Sequence, residues 1–402
     1  MKVSVVGAGI AGLGAARELI GRGHDVTVFE AAARAGGHVH TVEAEGHAID
    51  MGFIVCNRER YPNFFALLGE LGIATRPTTM AFSVSLPDDD LEWGSASLAA
   101  LFADRRKLVD RRHWRLLIEV VRFLRAARRD LAAGVVHGSL DDYVGRWDAD
   151  LRDRFCVPLA AALWSLAPDR CGEFPAELFV RFLDHHGMLS PVFPLAWHTV
   201  VGGSRRYVDA LLALLHGTGR FTLHLATPVT RIARGAAITL HADREHRFDR
   251  VIIATHADTA LALLADPSDD ERRVLGAIRY STNRTVLHTD RSFLPRRPAA
   301  HASWNYVADR DTSRVAVTYS MTRLQGLPDR PYLVTLEPRR EPANVLAVAT
   351  FSHPQFDLAA LAAQRELASL GGALTAYAGA HFGFGFHEDG LRSGIAAARR
   401  VG

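Results

Sequence analysis

The sequence predicts an α/β protein of two domains, with a parallel sheet in the first and an antiparallel sheet in the second. Its 402 residues exceed the usual length of one domain. Val3–Val6 is a short, mainly apolar run with no alternation, as expected for a strand buried on both faces of a parallel sheet. Residues 285–350 alternate short apolar runs with turns, which is typical of antiparallel strands.

The glycine spacing after the first strand predicts a Rossmann turn that binds a dinucleotide. Gly7-Ala8-Gly9-Ile10-Ala11-Gly12 follows at once, and a helix is expected over Ala15–Ile20. The first glycine permits a tight turn, the second lets the backbone approach a pyrophosphate, and the third lets the helix lie close to the strand. Free N–H groups at the helix N-terminus bind the phosphates. We therefore assign Gly7, Gly9, Ile10, Ala11 and Gly12 to the cofactor.

An acidic residue at the end of the second predicted strand supports this assignment. Asp25–Phe29 is expected to form that strand, and Glu30 follows it. The Glu30 carboxylate can accept hydrogen bonds from a ribose diol, which disfavours a 2′-phosphate and hence NADP. At this point NAD and FAD are both possible.

The residues that follow resemble one group of flavoproteins. Arg34-Ala35-Gly36-Gly37-His38 is similar to the ExxxRxGG extension of amine oxidases, phytoene desaturases and protoporphyrinogen oxidases, and Ile49–Phe53 resembles their D-x-G segment beneath the isoalloxazine. This resemblance implies FAD and a glutathione-reductase-type Rossmann domain. The cofactor contacts that it implies are Glu30, Ala31, Arg34, Gly36, Gly37, His38, Asp50, Gly52 and Phe53.

Two later segments extend the resemblance. Thr227–Ile232 is similar to a strand in which a valine backbone, here Val229, pairs with adenine. Residues 377–390 resemble the last glycine-rich turn, which closes over the flavin before a helix expected at Leu391–Arg400. Where the wider group usually has an acid, this chain has an alanine. The contacts implied in this turn are Gly379, Ala380, Gly385, Phe386 and His387.

These segments predict a discontinuous FAD domain and a substrate domain inserted into it. The FAD domain comprises residues 1–80, 200–284 and 370–402, and the substrate domain comprises 81–199 and 285–369. The second domain is α+β, with an antiparallel sheet and a helical lid. The lid is aromatic, including Phe193, and its aromatic residues are either ordinary core or the wall of a substrate tunnel.

Lysine and cysteine usage narrows the chemistry. Amine oxidases of the group generally hold a lysine that positions a water at the flavin, but Lys2 and Lys107 are the only lysines here and neither is suitably placed. Amine oxidation by that apparatus is therefore disfavoured. The cysteines Cys56, Cys156 and Cys171 fall outside the region of covalent attachment, which predicts non-covalent FAD. We predict no metal site.

Removing a hydride from carbon also requires a proton acceptor. His38, His40, His381, His387 and Glu388 are candidates, of which His40 and His381 are our first two. Trp304 and Tyr306 are candidates for side chains that face the flavin, with a role in the core as the alternative.

Several stretches of the sequence, among them "GGHVHTV", "IDMGFIV" and "LEWG", are similar to a narrower bacterial family. They resemble predicted NAD/FAD-binding, amine-oxidase-like proteins, some of which are associated with acyl-chain desaturation. The resemblance implies an FAD-dependent oxidoreductase that desaturates a fatty acyl chain, free or in a phospholipid. The alternatives are a flavin amine oxidase and a non-catalytic lipid- or prenyl-binding protein of the same fold.

One segment is strongly basic. Between Asp104 and Asp130 there are ten Arg or Lys residues and four acids. A helix there is either a surface helix with a solvated arginine face or, over residues 105–129, an interfacial helix on anionic lipid. We expect a cytoplasmic protein, in the second case peripheral on the inner face of the membrane. The sequence predicts no nucleic-acid partner and leaves the oligomeric state open.

Overall fold

The computed structural model describes residues 1–164, 166–189, 195–308, 316–328 and 330–402, so Phe193 lies outside the described residues. Its first sheet is parallel and confirms the predicted α/β class. The five strands lie side by side in the order Phe221–His224, Asp25–Phe29, Lys2–Val6, Arg250–Ile253 and Thr375–Tyr377. The first strand is central, and Val3, Ser4, Val5 and Val6 are all buried because helices cover both faces of the sheet.

The largest described sheet has seven strands and is mostly antiparallel, as the alternating pattern predicts. Its order is Val345–Gln355, Arg279–His288, Leu333–Leu336, Ala316–Ser320, Trp304–Val307, Phe82–Leu86 and Leu91–Gly94. Trp304–Val307 and Phe82–Leu86 pair in parallel. Strand Arg279–His288 crosses the domain boundary predicted between residues 284 and 285, so the substrate sheet takes in residues that the sequence pattern gave to the FAD domain.

Three smaller sheets connect these two. Arg231–Arg234, Ile238–His241 and Glu245–Phe248 form one, and Thr41–Ala44 with His47–Asp50 forms a hairpin. The third sheet contains Cys56–Asn57, Trp197–Val200 and Thr75–Thr78. Thr75–Thr78 pairs with Trp197–Val200 along its whole length. The chain therefore leaves and re-enters the FAD domain through neighbouring strands.

The described α-helices fall in both sets of segments that the sequence pattern distinguishes. Those in the segments predicted to form the FAD domain are Ile10–Gly21, Pro62–Glu70, Arg205–His216, Ala257–Leu263, Asp269–Gly276 and His387–Val401. Those in the segments predicted to form the substrate domain are Leu98–Leu101, Arg111–Ala132, Leu140–Val144, Ala149–Leu151, Val157–Trp164, Ala176–His185, Met321–Leu324 and Leu358–Gln364. None of the helices in the described part of the chain is long and apolar enough to cross a membrane.

Two helices begin earlier than their sequence patterns predict. The first starts at Ile10, directly after Gly9, and the last starts at His387. Both contain glycines that lower helix propensity but are required for close packing. A Cβ on Gly14 would lie 2.4 Å from Leu391 Cδ1, and one on Gly394 would lie 2.0 Å from the Ala11 carbonyl oxygen. These glycines let the N-terminal and C-terminal helices touch.

Candidate cofactor and substrate site

The candidate site lies at the carboxyl edge of the parallel sheet. The Gly7–Gly12 turn follows the central strand, and Glu30 follows the next strand in the sheet. His256 and the Gly379–His381 turn come shortly after the two strands on the other side. Because parallel strands all end at one edge, these segments meet there, which is where doubly wound sheets bind their ligands.

The first glycine turn has the geometry of a phosphate cradle. Gly7 has φ +104°, and a Cβ on Gly12 would lie 1.9 Å from the Gly7 carbonyl oxygen. A Cβ on Gly9 would meet nothing closer than Gly37 Cα, at 4.0 Å. Gly9 therefore faces open space at the start of a helix that has neither a side-chain cap nor an acid in its first turn. The N–H groups of Ile10, Ala11 and Gly12 are left for an anion.

The second glycine pair is fixed against the first. Gly36 N–H donates to the Ala8 carbonyl at 2.8 Å, and Gly36 and Gly37 have φ +112° and +58°. The Arg34 guanidinium donates to the carbonyls of Val39 at 2.6 Å and Gly37 at 3.0 Å. The Arg34 side chain is therefore engaged in fixing the backbone of this loop, and its hydrogen bonds are to the loop carbonyls.

Glu30 and Val229 lie together on the other side of the first turn. The Glu30 carboxylate accepts from the N–H groups of Ala8 at 2.8 Å and Ala32 at 2.9 Å, and each oxygen keeps a lone pair for a ribose hydroxyl. Thr227 N–H donates to the Glu30 carbonyl at 2.9 Å. This bond brings Val229, whose backbone forms no hydrogen bond with another described residue, close to Glu30 and Ala31. The arrangement fits the adenosine end of a dinucleotide.

The Asp50 carboxylate is fully buried and holds two segments together. It accepts from the backbone N–H and Oγ of Ser204, from Thr41 Oγ1 and from Gln325 Nε2. Burial raises the pKa of Asp50 to about 6, although these hydrogen bonds oppose the shift. The carboxylate therefore has a structural role. Gly52 and Phe53 pair with the second glycine loop, since Phe53 N–H donates to the His38 carbonyl.

The last turn is closed by its own backbone and by one acid. Gly385, at φ +94°, donates to the Ala380 carbonyl, and Asp389 accepts from Phe384 N–H and Phe386 N–H. Gly379 exchanges hydrogen bonds with Ser393 Oγ. His387 begins the final helix, but its ring stacks on Phe53 at 3.8 Å and bonds to the Tyr207 hydroxyl. Only its backbone is available to a cofactor.

Four imidazoles gather beside these turns. His38 lies 6.3 Å from His256 and 5.5 Å from His353 between ring centroids, and the Tyr280 ring stacks on His256 at 4.3 Å. Tyr280 Oη bonds to His381 Nδ1 at 3.0 Å. Burial lowers the pKa of His38 and His381 to about 3 and of His353 to about 4, and it also lowers the pKa of His256. All four rings are therefore neutral near pH 7.

A fixed partner assigns the tautomer of one of these rings. The Ser352 carbonyl can only accept, so His38 carries its proton on Nε2 and presents a bare Nδ1. Tyr280 Oη accepts from Ala257 N–H and also bonds to His381 Nδ1, and because a hydroxyl oxygen has two lone pairs, either atom of this second bond can be the donor. His381 Nε2 is a buried atom without a hydrogen-bond partner in the described part of the chain. His38 can therefore accept a proton at Nδ1, and His381 Nε2 is left for a ligand.

Sequence reasoning did not select His256, His353 or Tyr280. They come from strands and loops more than 200 residues beyond His38. The position of His256 two residues after the apolar run Val251–Ala254 is the one available signal, because residues at that end of a parallel strand reach the ligand edge.

Other candidates have different surroundings. His40 is half-buried beside Phe351, with ring centroids 6.2 Å apart. Trp304 and Tyr306 are buried in the core, where Trp304 packs on Phe82 at 4.9 Å, as in the core interpretation. Glu388 accepts from Asn63 N–H and Phe64 N–H at the start of helix Pro62–Glu70. It caps that helix and is not free to act as a base.

A cavity of about 440 Å³ borders Tyr280 on the side of the substrate sheet. Its volume is within the range of small-molecule sites. The apolar part of its wall includes Ala161, Leu166, Phe174, Val317, Leu336 and Phe356. Arg170 and Arg279 also line it, but they are paired with Glu173 and Asp357. Ser281, Thr282 and Asn283 add a polar strip, so the cavity joins an apolar wall to the histidine cluster.

Lysine and cysteine lie away from these groups. Lys2 begins the first strand and is exposed, and Lys107 pairs with Asp110 at 2.9 Å. Cys56, Cys156 and Cys171 are buried free thiols, and burial raises their pKa, to about 12 for Cys56. These placements support the prediction of non-covalent flavin. Among the described residues there is no group of His, Cys, Asp and Glu arranged to hold a metal ion.

The fold and the site together define a dinucleotide-binding flavoprotein of two interleaved domains. The glycine cradle, Glu30 and the free Val229 backbone fit the pyrophosphate, ribose and adenine of FAD. A family model described as flavin containing amine oxidoreductase matches residues 10–351. The chain belongs to this family of FAD-dependent oxidoreductases, which confirms the prediction of FAD and of the enzyme class.

Individual proteins show similarity to this chain at different levels. A putative flavin-containing monoamine oxidase of Mycobacterium tuberculosis (strain CDC 1551 / Oshkosh) is 50% identical over 78 residues, 19% of this chain and 16% of that protein. A 4,4'-diapophytoene desaturase of Staphylococcus aureus (strain bovine RF122 / ET3-1) is 38% identical over 71 residues, 17% of this chain and 14% of that protein. The chain thus spans less than a fifth of the length of these curated relatives.

A solved structure matches over nearly the whole chain. The CLA-producing fatty acid isomerase from P. acnes superposes with a TM-score of 0.71 at 16% identity, covering 98% of this chain and 96% of that one. At this identity the likeness establishes the shared fold. It confirms the predicted architecture of a Rossmann-type domain with an interleaved substrate domain.

Proposed function

We propose that the protein desaturates an apolar chain, most concretely a fatty acyl group, free or in a phospholipid. FAD, when bound, supplies a hydride acceptor. The observation that carries the proposal is a cavity with one apolar wall that borders Tyr280, whose side chain contacts the neutral His256 and His381, in a chain whose two lysines lie elsewhere. Oxidation of a carbon–carbon bond then needs one further group from the protein, a base for the second hydrogen as a proton.

His38 is our candidate for that base. Its Nε2–H is held by the Ser352 carbonyl at 3.1 Å, so the ring is oriented and Nδ1 is free. Burial lowers the pKa of His38, so the ring is neutral at physiological pH and its Nδ1 lone pair can take a proton, although the same shift weakens it as a base. We assign His381 the complementary role of binding a polar atom of the ligand at its unpartnered Nε2.

The test is anaerobic reduction of the holoprotein by an acyl substrate. Oleoyl phosphatidylglycerol should bleach the oxidised flavin, and the acyl chain should lose two hydrogens by mass spectrometry. His38→Asn should slow bleaching by about a hundredfold or more while FAD stays bound. His47→Asn, at the partly buried hairpin beside Tyr332, is the matched control and should reduce at the original rate. Normal flavin content with no acyl-dependent bleaching would refute the proposal.

An amine oxidase is the second candidate. Glu337 lines the cavity and accepts from Arg284 N–H, which leaves its carboxylate able to bind an ammonium group. Flavin bleaching by a diamine, with no response to the acyl lipid, would favour this reading. A colourless protein that takes up no added FAD would instead favour the non-catalytic lipid- or prenyl-binding alternative.

A further inference from the structure

The exposed face of helix Arg111–Ala132 combines large apolar side chains with arginines. Placed at 100° per residue, Trp114, Ile118 and Val121 share one face with Arg125 and lie beside Arg111 and Arg129. Trp114, Ile118 and Val121 are 45%, 49% and 38% exposed. Leu108 and Val109, directly before the helix, are 51% and 86% exposed. We call these five apolar residues with Arg105, Arg111, Arg125, Arg128 and Arg129 the basic-apolar patch.

The opposite face of the helix is already buried. Phe123 is fully buried and packs edge-to-face against Tyr143 and Trp147, at 6.1 and 5.7 Å between centroids. Leu116 and Ala127 are buried as well. Rotation of the helix could therefore not hide Trp114, Ile118 and Val121 without exposing an equal or larger apolar area. Their exposure is a stable property of the folded chain.

The arginines of the patch lack acidic partners within the described ranges. Arg105, Arg111, Arg125, Arg128 and Arg129 are exposed and form no ion pair there. By contrast, Arg112 and Arg115 of the same helix pair with Asp150 and Asp148, both at 2.6 Å. Glu119 and Asp130 are likewise paired, with Arg122 and Arg146. The unpaired positive charge is thus concentrated around the apolar side chains.

We propose that the basic-apolar patch docks the protein on an anionic lipid membrane. Entry of Trp, Ile, Val and Leu side chains into the interface between headgroups and acyl chains lowers the free energy of the bound state. Arginines beside them can keep their guanidinium groups at the phosphates while their methylene stems lie along apolar surface. A soluble acidic partner would account for the arginines but not for the exposed Val109, Trp114 and Ile118. This inference does not depend on the proposed desaturation.

Co-sedimentation of the holoprotein with lipid vesicles tests the proposal. Binding is expected to vesicles of mixed phosphatidylcholine and phosphatidylglycerol, to weaken with added salt, and to be far weaker with pure phosphatidylcholine. The triple variant Arg111→Glu, Arg125→Glu, Arg129→Glu should lower affinity at least a hundredfold. The control is Arg231→Glu, Arg244→Glu, Arg247→Glu, three exposed arginines on another surface, which should bind as before.

The apolar contribution has its own variants. Ile118→Asn with Val121→Asn should lower affinity about tenfold at constant net charge, whereas Val345→Asn with Val348→Asn, also exposed, should not. Brominated lipids should quench fluorescence of the original chain more than that of Trp114→Phe. Equal binding by the triple variant and its control would overturn the proposal. So would a patch-dependent dimer in sedimentation velocity that binds no vesicles.

Discussion

The N-terminal helix Ile10–Gly21 and the basic helix Arg111–Ala132 differ in how much of their surface is packed against the rest of the protein. The first packs against the sheet on one side and the C-terminal helix on another, so eight of its twelve residues are buried. The second is anchored along one stripe and leaves the rest in solvent. In the first helix nearly every position is constrained by neighbouring backbone. In the second helix the exposed positions are not constrained by packing, so their side chains can be suited to a binding partner.

The largest expected effect separates two glycines of the N-terminal helix. Gly12→Ala places a Cβ 1.9 Å from the Gly7 carbonyl, so backbone must move, and we expect a loss of about 3 kcal/mol or more in the free energy of unfolding. Gly21→Ala meets nothing within 4 Å and should stabilise the helix by up to about 1 kcal/mol. Urea unfolding measures both. Equal midpoints for the two variants would contradict the packing argument.

Gly9→Ala distinguishes a cofactor role from a packing role. The protein has room for this Cβ, whose nearest neighbour would be 4.0 Å away, but the methyl group would occupy the approach of a pyrophosphate. We expect the fold to persist and FAD retention to fall at least tenfold, which corresponds to about 1.4 kcal/mol. Flavin absorbance after gel filtration measures it. Gly69→Ala, also with open space around it, should keep its flavin, and undiminished FAD in Gly9→Ala would contradict the assignment.

We expect the protein to lose stability as the pH falls below neutral, because its buried histidines are neutral in the folded state. Burial lowers the pKa of His38, His186, His381 and His387 to about 3 and of His288 and His353 to about 4, so unfolding near pH 5 takes up a proton at each. Asp50 and Asp389, with pKa raised to about 6, oppose this because they bind protons in the folded state between about pH 6 and 4. Stability therefore falls as pH falls through this window.

Unfolding near pH 5 takes up about four protons net, six at these histidines less two at the aspartates, which corresponds to about 5 kcal/mol per pH unit. Urea midpoints at pH 7, 6 and 5 should decrease in that order. His387→Phe, which keeps an aromatic ring against Phe53, should flatten the decrease. Stability that is constant or rises toward pH 5 would show that these histidines are protonated in the folded protein.

The smallest expected effect lies on the exposed face of the basic helix. Ile118→Ala removes no buried contact and should change the free energy of unfolding by less than about 0.5 kcal/mol. Phe123→Ala, five residues later on the buried face, should cost about 3 to 5 kcal/mol. A large loss in Ile118→Ala would mean that the side chain supports the fold rather than a partner.

Sequence patterns predicted the parts of the site that depend on backbone geometry. The roles of Gly7, Gly12 and Gly36 could be predicted from the sequence, because a tight turn or a close approach of backbone admits only glycine. The contact between Tyr280 and His381 could not be predicted, since it depends on how strand Arg279–His288 packs against the last glycine-rich turn. Asp50 was expected beneath the flavin, but its burial against Ser204 follows from tertiary contacts of a turn 154 residues away.

The basic helix shows the same limit on a surface. The sequence predicted a helix with an arginine face, and in the structure Leu116, Phe123 and Ala127 of this helix are buried. It did not predict that Trp114 and Val121 would remain exposed, because burial depends on which elements pack nearby. The unpaired state of Arg111 and Arg125 depends in turn on where Asp148 and Asp150 place their carboxylates.

The contact between the first and last helices has a consequence for biosynthesis. The turn at Gly7 emerges from the ribosome early, but Leu391 and Gly394, which pack against its helix, and Glu388, which caps helix Pro62–Glu70, are made nearly 400 residues later. Until then the N-terminal segment has no partner for its small-residue face. The cofactor pocket is therefore incomplete until the last glycine-rich turn and helix have been synthesised, more than 370 residues after the Gly7 turn.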